Sequence, residues 1–555
     1  MAGALQHTED WRMLPWQEIE RNVHRLQQRI YQAASRGDVK RVHNLQRLIL
    51  SSYSARLLAV RRVTQDNRGK RTAGVDGVAS LTPAERLTLA QDLRYLNTTP
   101  SPVRRTYIDK PGSDEKRPLG IPTMADRARQ ALVKLALEPE WEAKFEPNSY
   151  GFRPGRCTHD AIEAIFNFIR LKPKYVLDAD IEKCFDHISH TALLEKLQAI
   201  HPIARLVRGW LKAGILDGDH LLFPEQGTPQ GGVISPLLAN VALHGLEQAI
   251  VSTKPKRHRP ALIRYADDLV ILHHDLDGLH QARQEAEQWL ADIGLRLNPT
   301  KTRITHTLTP YQDRVGFDFL GFTIRQYPVT KHHTRTYRGK PGFKTLIRPS
   351  KKGIKRHLFN LKQIIRDYRG SAQAALIGKL NPIIRGWANY YKTCAAKHTF
   401  NLIDKELFWK LAKWGRFRHP RKWWQWVYRR YWQRLPQKGT IEFSDGDFTL
   451  IDHADTKIER HTKVKGHQSP FDGDWPYWTA RLGKDPTKPK RVCVLMKIQK
   501  GRCTHCRLRL RATDVLEVHH RDGNHHNHHY TNLALIHGHC HDFVHGSKVL
   551  MTTAS

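Results

Sequence analysis

Two adjacent aspartates, Asp267 and Asp268, stand in the stretch ALIRYADDLVIL, residues 261 to 272, between two runs of strand-forming residues. A tight hairpin normally places Asn-Gly or Asp-Gly at such a turn, so a pair of carboxylates is unusual there. If the hairpin is buried, the two like charges repel each other, and a divalent cation such as Mg²⁺ relieves that repulsion. A polar turn with both aspartates in water is the alternative interpretation, and it requires no ligand.

A third carboxylate is predicted on a neighbouring strand, in the stretch KYVLDADI, residues 174 to 181. Side chains alternate between the two faces of a strand, and one face here carries Val176, Asp178 and Asp180. The acidic face ends at Asp180. Two strands then present three acids, which can hold two Mg²⁺ ions that activate a 3′ hydroxyl and stabilise departing pyrophosphate. Together the two stretches predict a two-metal polymerase site.

A second set of potential metal ligands lies near the C-terminus. Ten of the chain's 33 histidines fall between His519 and His545, and the only close cysteine pair is Cys503 and Cys506. In a reduced protein such a pair is typical of a metal knuckle rather than of a disulfide. On a predicted helix, His541 and His545 are four residues apart, so they lie on one face and can share an ion. A histidine-rich tail that binds metal nonspecifically is the alternative.

The composition predicts a large, basic protein that works on a polyanion. The chain has 555 residues, enough for several domains, because a single core rarely exceeds about 250 to 300 residues. Its 91 Lys plus Arg outnumber 53 Asp plus Glu, a net charge of +38. Nucleic acid is favoured over a membrane because no apolar stretch of about 18 residues is present. Seven cysteines and an N-terminus without a signal core favour a reducing compartment, the bacterial cytoplasm and nucleoid, with an organellar origin left open.

Changes in pattern divide the chain into five regions. The second region alternates helices with short strands, which is typical of an α+β domain, and the third combines helical spacing with many basic and aromatic residues. The regions are an N-terminal helical RNA-binding extension (1–70), an α+β unit (71–335), a helical unit (336–440), a polar DNA-binding or linker region (441–490) and the histidine-rich end (491–555).

Basic and aromatic residues interleave in RFRHPRKWWQWVYRRYW, residues 416 to 432. Such a sequence suits phosphate contact combined with base stacking. The residues predicted to contact nucleic acid are Arg421, Lys422, Trp423 and Trp424. For any single tryptophan, burial in the core of a helical bundle is the alternative.

The motifs also occur in a distinctive order. The box Tyr265-Ala266-Asp267-Asp268 follows DADIEKCFDHISH, and the other blocks between residues 72 and 325 are KRPLGIPTMADRARQALVKLALEP, NSYGFRPGRCTHDAI, EQGTPQGGVISPLLANVALHGLE, GLRLNPTKTRI and FDFLGFTI. This order resembles that of the reverse transcriptases encoded by group II introns. GWANYYKTC, residues 386 to 394, resembles the maturase region of the same family, and the C-terminal Cys and His pattern resembles HNH nucleases.

The resemblance implies an α+β multidomain fold of the right-hand polymerase type, with fingers and an antiparallel palm sheet in residues 71–335 and a helical thumb or maturase domain in 336–440. It implies that Asp180, Asp267 and Asp268 hold two Mg²⁺ ions, with the backbone carbonyl of Ile181 as a further ligand. The ring of Phe185 would exclude a ribose 2′ hydroxyl and so select deoxynucleotides; ordinary core packing is the alternative for this ring.

Further residues are implied to contact the incoming dNTP. Two cations in the fingers would bind the triphosphate, and the TPQGG loop would lie beside the nucleotide, where glycine permits close backbone approach. A lysine in NPTKT would protonate pyrophosphate, although a solvated charge is the alternative for it. These residues are Lys110, Arg117, Gln230, Gly231 and Lys301.

The HNH resemblance implies a C-terminal ββα unit around one divalent ion, Mg²⁺ or another metal. The residues implied to ligate that ion are His519, His541 and His545, with His520 as the base that activates water and Asn532 as the residue that orients the base. A structural Zn²⁺ would be held by Cys503, Cys506, His537 and Cys540. This set departs from the usual two CxxC pairs, and His539 could compete with His537. Without zinc, the cysteines would be reduced surface thiols.

The sequence as a whole predicts a multifunctional group II intron-encoded protein: RNA-directed DNA polymerase, splicing maturase and DNA endonuclease. Its expected partners are the intron RNA lariat, a DNA target and dNTP, with no membrane and with no oligomeric state specified. One alternative is a host-domesticated reverse transcriptase, although such enzymes generally lack the GWANYY and HNH regions. The other is a non-enzymatic RNA-binding splicing factor, against which the intact Asp180, Asp267 and Asp268 argue.

Overall fold

The structure is a computed structural model that describes residues 11–109, 115–228, 230–251, 254–329, 342–435 and 439–552. Lys110, predicted to contact the triphosphate, lies outside the described residues. None of the helices in these ranges is long and apolar enough to cross a lipid bilayer.

Nineteen α-helices and fifteen strands are described. The helices are α1 (Trp16–Ser35), α2 (Val39–Ser51), α3 (Tyr53–Arg61), α4 (Pro83–Asp92), α5 (Met124–Lys144), α6 (Thr158–Ile169), α7 (Cys184–His187), α8 (His190–Leu197), α9 (His201–Lys212), α10 (Ser235–Leu243), α11 (Leu246–Val251), α12 (Leu276–Asp292), α13 (Lys351–Asp367), α14 (Gln373–Tyr391), α15 (Lys397–Arg418), α16 (Trp424–Tyr431), α17 (Trp475–Leu482), α18 (Lys490–Ile498) and α19 (Gly538–Thr552). The strands are β1 (Val103–Asp109), β2 (Lys116–Ile121), β3 (Tyr175–Asp180), β4 (Ile215–Asp217), β5 (His220–Leu222), β6 (Ala261–Tyr265), β7 (Asp268–His273), β8 (Arg303–His306), β9 (Phe317–Phe319), β10 (Phe322–Pro328), β11 (Phe343–Pro349), β12 (Trp432–Arg434), β13 (Ile441–Phe443), β14 (Leu516–His520) and β15 (Leu533–His537).

The N-terminal helices lie where the spacing of apolar residues predicts them. On α1, Ile19, Val23 and Ile30 fall on one buried face, which packs against α2, α3 and α5. Local side chains also fix where helices begin. Thr82 and Glu85 form a capping box at the start of α4, so two backbone N–H groups that lack helical partners are satisfied.

Four antiparallel strands in the order β6-β7-β3-β8 form the sheet that we call the palm sheet. β6 and β7 form a hairpin with Tyr265 opposite Asp268, and β3 pairs with β7 so that Asp180 also lies opposite Asp268. One face, at Leu177, packs on α12, whereas the face at Val176 packs on α6 and on the β9–β10 hairpin. The alternation predicted for KYVLDADI therefore holds, and the acids share one face.

A second sheet, in the order β2-β1-β4-β5, forms the fingers beside the palm. Two smaller sheets cross the predicted domain boundaries: β10 pairs with β11 on either side of residue 335, and β12 pairs with β13 on either side of residue 440. Helices α13 to α16 form the thumb around a core of their own, in which Trp414 and Trp432 are buried. These two tryptophans are core residues.

One buried carboxylate, Asp160 in the first turn of α6, ties region 441–490 to the palm. Both carboxylate oxygens accept hydrogen bonds from Arg481 Nη2 at 2.6 Å, and Oδ1 also accepts from the backbone N–H of Val464 at 2.8 Å. His461 Nε2 lies 3.0 Å from the same oxygen. Burial acts to raise the pKa of Asp160, but His461 and Arg481 hold it below its ordinary value. The region predicted as linker-like is folded onto the palm.

The C-terminal region forms a ββα unit of β14, β15 and α19, as the HNH resemblance implies. It contacts the N-terminal helices directly. Asp542 accepts a hydrogen bond from Arg61 Nη2 at 2.8 Å, and His539 Nδ1 lies 3.0 Å from a carboxylate oxygen of Glu20. The first and last parts of the described chain are therefore in contact.

The buried contacts of Asp160 predict that two Arg→Met substitutions lower the free energy of unfolding by unequal amounts. Arg481→Met removes the main partner of a carboxylate whose side chain is 0 % exposed, and an uncompensated buried charge costs about 3 kcal/mol or more. Arg283→Met is the matched control, because its partner Glu287 is 40 % exposed, and such pairs contribute about 0 to 1 kcal/mol. Urea denaturation followed by tryptophan fluorescence measures both. Equal losses would contradict the role of Asp160.

Candidate active sites and metal centres

The turn that carries the adjacent aspartates is strained and tightly supported. Ala266 has φ of 59°, a left-handed conformation that is unfavourable for a residue with a side chain. The turn rests on Gly151, where an added Cβ would lie within about 3 Å of backbone atoms of Tyr265 and Ala266. Only glycine permits this approach, so the NSYGFRPG segment holds the turn in place.

A fully buried arginine lies beneath the same turn. Arg264 Nη1 donates to the carbonyl of Ala266 at 3.3 Å and to Asn240 Oδ1 at 2.9 Å. Asn240 Nδ2 in turn donates to the carbonyl of Gly151 at 2.8 Å. Burial lowers the pKa of Arg264, and Glu146 opposes that shift. The turn, its supporting glycine and a fixed positive charge are thus joined by hydrogen bonds.

The three predicted acids meet at this turn. Asp180 lies opposite Asp268, and the backbone N–H of Ile181 donates to the carbonyl of Asp267 at 3.3 Å. Burial, together with the charges of Asp267 and Asp180, raises the pKa of Asp268 to about 7, and burial with the charge of Asp180 raises the pKa of Asp267. A divalent cation would relieve this repulsion. The donor set, all carboxylate oxygen at the end of a strained hairpin, fits Mg²⁺.

A fourth acid, Asp178, belongs to the same cluster and was not among the predicted ligands. Burial and then Asp318 raise its pKa to about 7, with Asp180 contributing further. Strand alternation already placed Asp178 on the face of Asp180. Its closeness to Asp318, which lies on β9, depends on the tertiary fold and has no signal in the sequence.

Two cations face the acids, as the resemblance implies. Lys301 Nζ lies 2.6 Å from Asp180 Oδ2, and this hydrogen bond raises the pKa of Lys301, which keeps the ammonium group charged. Arg117, an exposed residue of β2, lies close enough that its charge opposes the rise in the pKa of Asp267. Lys301 is 55 % exposed, so it is a solvent-accessible cation that pairs with Asp180. Its role toward pyrophosphate stays a prediction.

A cavity of about 230 Å³ lies between the fingers sheet and the segment after β3. Phe185 and Gln230 both line it, and the half-buried ring of Phe185 also packs against the hydrophobic core. Gly231 has φ of 110°, and an added Cβ would lie 2.8 Å from the carbonyl of Gly120. The N–H of Gly120 donates to the carbonyl of Gln230 at 2.6 Å. Of the predicted nucleotide residues, Phe185 and Gln230 thus line this cavity, and their role toward a nucleotide stays a prediction.

The four predicted zinc ligands form one cluster. Cys503, Cys506, His537 and Cys540 are all buried, and their ligand atoms lie within 4.8 Å of one another. His537 Nδ1 lies 3.3 Å from Cys506 Sγ, whereas its Nε2 lies 3.4 Å from Asp514 Oδ2. A carboxylate on the far nitrogen is the usual support for a metal-binding histidine. Hydrogen bonding from Cys503 holds the pKa of Cys506 below its ordinary value, so the chemistry of the donor set fits Zn²⁺.

His539 stacks on His537 with ring centroids 4.9 Å apart, but its Nδ1 is directed to Glu20. His539 thus lies next to the cluster, and the sequence alone does not show which of the two histidines is the fourth zinc ligand. The contact with Glu20 ties His539 to the N-terminal helix α1, whereas His537 is the histidine whose ligand atom lies within 4.8 Å of those of the three cysteines.

The second histidine cluster also assembles. His519, His541 and His545 have ligand atoms within 4.8 Å of one another, in an exposed to half-buried setting. His541 Nδ1 lies 2.8 Å from Glu517 Oε2, which leaves its Nε2 facing His545 Nε2 at 3.2 Å. The arrangement again couples a carboxylate to a ligand histidine. Glu517 was not predicted, although its two-residue spacing from His519 on a strand puts both on one face.

His520 follows His519 on β14 and lies among other rings, with centroids 4.9 Å from His525 and 5.7 Å from His528. Partial burial and then the charges of His525 and His528 lower the pKa of His520. A neutral imidazole at pH 7 can accept a proton. Asn532, the residue predicted to orient this base, contacts the loop that follows it.

The amide of Asn532 holds the loop that follows His520. Its Nδ2 donates to Asp522 Oδ1 at 2.8 Å and to the carbonyl of Asn527 at 3.0 Å, and its Oδ1 accepts from the N–H of Asp522. Both amide hydrogens are therefore used within the loop. Asn532 can position His520 only through the loop backbone.

The predicted nucleic-acid surface on the thumb divides into two kinds of residue. Arg421, Lys422 and Trp423 are exposed, and 86 % of Trp423 is accessible to solvent. Trp424 is half buried, with its ring centroid 6.2 Å from that of Phe408. Part of the Trp424 ring packs within the thumb, and its contact with nucleic acid stays a prediction.

Comparisons with known proteins match this arrangement over most of the described chain. A family model described as "Reverse transcriptase (RNA-dependent DNA polymerase)" matches residues 108–324, "N-terminal domain of reverse transcriptase" matches 11–93, and "Group II intron, maturase-specific domain" matches 354–432. Protein YkfC of Escherichia coli is 32 % identical over 344 residues, which cover 54 % of this chain and 88 % of YkfC.

This chain belongs to the group II intron reverse transcriptase/maturase family. The group II intron-encoded protein LtrA of Lactococcus lactis is 35 % identical over 227 residues, 40 % of this chain and 38 % of LtrA. Maturase-like protein 1 of Euglena gracilis is 29 % identical over 413 residues, 70 % of this chain and 82 % of that protein.

The raised pKa of Asp268 predicts how metal binding depends on pH. Below pH 7 a proton competes for this carboxylate, so the half-saturating Mg²⁺ concentration for primer extension should rise about tenfold per pH unit and should level off above pH 7. Asp178→Asn removes one of the charges that raise this pKa and should move the transition to lower pH. A Mg²⁺ requirement that stays constant from pH 5.5 to 8 would contradict the assignment.

The exposed thumb residues predict a change in salt dependence. If Arg421 and Lys422 contact phosphates, their joint replacement by Ala should make the fall in RNA affinity with salt shallower, by a slope of roughly one to two. Filter binding of intron RNA at several KCl concentrations measures the slope. Replacing Lys457 and Lys490, two other exposed lysines, by Ala serves as the charge-matched control. An unchanged slope in the thumb variant would identify a solvated helix face.

Proposed function

We propose that this chain is a multifunctional group II intron-encoded protein in which a C-terminal HNH endonuclease domain accompanies the reverse transcriptase and maturase domains. The observation that carries the proposal is the presence of two separate constellations in one chain. The four acids of the palm hairpin suit DNA synthesis, and the trio His519, His541 and His545 beside His520 suits hydrolysis of a phosphodiester.

In the polymerase centre, bound Mg²⁺ would supply the Lewis acidity that activates a primer 3′ hydroxyl and stabilises pyrophosphate. The strained turn fixes Asp267 and Asp268 at the metal position, and strand pairing holds Asp180 opposite Asp268. Lys301 holds a proton close to Asp180 and could release it to a leaving phosphate. The ring of Phe185 narrows the adjacent cavity, which favours a deoxyribose over a ribose.

In the C-terminal domain, a divalent ion would stabilise negative charge on the scissile phosphate. His519, His541 and His545 would hold it, and Glu517 would orient His541. His520, neutral at pH 7, would take the proton of an attacking water. The zinc cluster includes His537, the last residue of β15, and Cys540, in the first turn of α19. A bound zinc ion would fix the start of α19 and therefore the positions of His541 and His545.

These activities fit one cycle of intron movement. The thumb binds the intron RNA and assists its folding and splicing, and the protein stays with the RNA lariat as a ribonucleoprotein. The RNA inserts into one strand of a DNA target, the HNH domain cleaves the other strand, and the polymerase centre extends the new 3′ end with intron RNA as template. The basic surplus of the chain suits both nucleic-acid partners.

Asp267→Asn tests the polymerase assignment. The change keeps the size of the side chain but removes a charge needed for metal binding, so complementary-DNA synthesis should be lost while RNA binding and splicing remain. Primer extension and splicing of a precursor RNA measure the two properties. Asp292→Asn, at the exposed end of α12, is the control and should retain synthesis. Undiminished synthesis by Asp267→Asn would refute the assignment.

His520→Ala tests the nuclease assignment. Loss of a general base should slow second-strand cleavage by about 10²-fold or more. Insertion into the first strand should persist because the RNA performs it, and extension of an annealed primer should persist because the palm acids are unchanged. His529→Ala, an exposed member of the same histidine tract, is the control. Both strands of one labelled DNA target should be assayed with the reconstituted particle. Retention of second-strand cleavage would show that His520 is not the base.

A further inference from the structure

A cavity of about 470 Å³ lies between the palm and region 441–490, away from the residues assigned to either active site. Residues 153–157, which follow the YGF segment, form one wall, and residues 460–465 and 477–488 form the others. The volume falls within the range of about 300 to 1,000 Å³ that is usual for small-molecule sites. The cavity can therefore enclose a ligand of about the size of a nucleotide.

The side chains that line this cavity carry a large excess of positive charge. Eight Lys or Arg side chains line it against one carboxylate, Asp485. Two of the eight are committed to buried acids: Arg153 pairs with Glu142 and Arg481 pairs with Asp160. Among the described residues, no carboxylate lies within ion-pair distance of the other six. A cavity wall with this surplus requires an anion from outside the protein to balance it.

Two of these cations are buried at a cost. Arg156 donates to the carbonyls of Pro147 and Gly466, but its buried Nε has no hydrogen-bond partner in the described chain. Burial lowers the pKa of Arg156 to about 10 and also lowers that of Lys463. An unsatisfied buried donor costs about 1 to 3 kcal/mol. Arg156 and Lys463 therefore hold positive charge at the cavity wall in spite of this cost.

The same cavity has an aromatic wall. The hydroxyl of Tyr477 accepts a hydrogen bond from the backbone N–H of Lys465 at 3.0 Å, and Lys465 Nζ lies 5.5 Å from the centre of the tyrosine ring. Behind it, the buried ring of Trp478 is fixed by a hydrogen bond from its indole N–H to the carbonyl of Ser469 at 3.0 Å. A fixed aromatic ring beside several cations is the combination that recognises a base together with its phosphate.

We propose that this cavity binds a nucleoside phosphate, with the phosphate against Lys463, Lys484 and Lys488 and the base against Tyr477. The ligand has two possible sources: a free nucleotide, or one unpaired residue of a bound RNA or DNA strand that turns out of the stack. A phosphate ion alone would leave most of the volume and the aromatic wall unused. The site is separate from the dNTP cavity beside Phe185 and does not depend on either active site.

Photo-crosslinking of the full chain tests the site and distinguishes the sources. One arm uses 8-azidoadenosine 5′-monophosphate, and the other uses a 12-nucleotide RNA with one 4-thiouridine; modified peptides are then identified by mass spectrometry. Labelling of the peptide that contains Tyr477 by the mononucleotide identifies a free ligand. Labelling there by the RNA alone identifies a strand residue. No labelling of that peptide in either arm overturns the proposal.

Variants make the test quantitative. Lys484→Ala combined with Lys488→Ala should reduce labelling at Tyr477 by about fivefold or more, because two phosphate contacts are lost. Lys457→Ala combined with Lys490→Ala removes the same charge outside the cavity and should leave labelling unchanged. Thermal unfolding of both double variants controls for folding, and the mapping on the unaltered chain needs no variant. Equal reduction by the two double variants would mean nonspecific attraction to a basic surface and would also overturn the proposal.

Discussion

Mutual repulsion among four carboxylates at one end of the palm sheet is the constraint on which the catalytic half of the molecule depends. Asp178, Asp180, Asp267 and Asp268 are drawn together by strand pairing, and burial makes each charge more costly. The protein opposes this repulsion with Lys301 and Arg117 from the open side, and the hydrogen bond from Arg264 to the carbonyl of Ala266 holds the turn in place. The strained turn at Ala266 is tolerated because backbone packing from the neighbouring segment leaves it no other conformation.

A second buried charge that needs a partner, the carboxylate of Asp160, holds distant parts of the chain together. Asp160 comes from the palm, whereas its partners Arg481 and His461 come from a region about 300 residues later. Because a carboxylate in this position cannot be left unpaired, the later region is held against the palm and is not free to act as a spacer. The cavity described above exists because this contact closes it on one side.

Much of the catalytic arrangement could be predicted from the sequence because it depends on local periodicity. Strand alternation placed Asp180 on an acidic face, and the spacing of His541 and His545 placed both on one side of a helix. Partners from distant segments could not be predicted this way: Glu20 beside His539, Asp514 behind His537 and Asp318 beside Asp178 meet only after the domains pack. Trp423 and Trp424 illustrate the same limit. They are adjacent in one basic and aromatic stretch, yet Trp423 is exposed and Trp424 is half buried.

The contact between Arg61 and Asp542 joins residues 481 positions apart. At a synthesis rate of roughly 5 to 20 residues per second, the ribosome completes Asp542 about half a minute to a minute and a half after Arg61. Two other neighbours of Arg61, Asp66 and the ring of Trp16, lie close to it in the sequence and do not depend on the later segment. The contact between the N-terminal helices and α19 can therefore form only after the intervening domains have been synthesised.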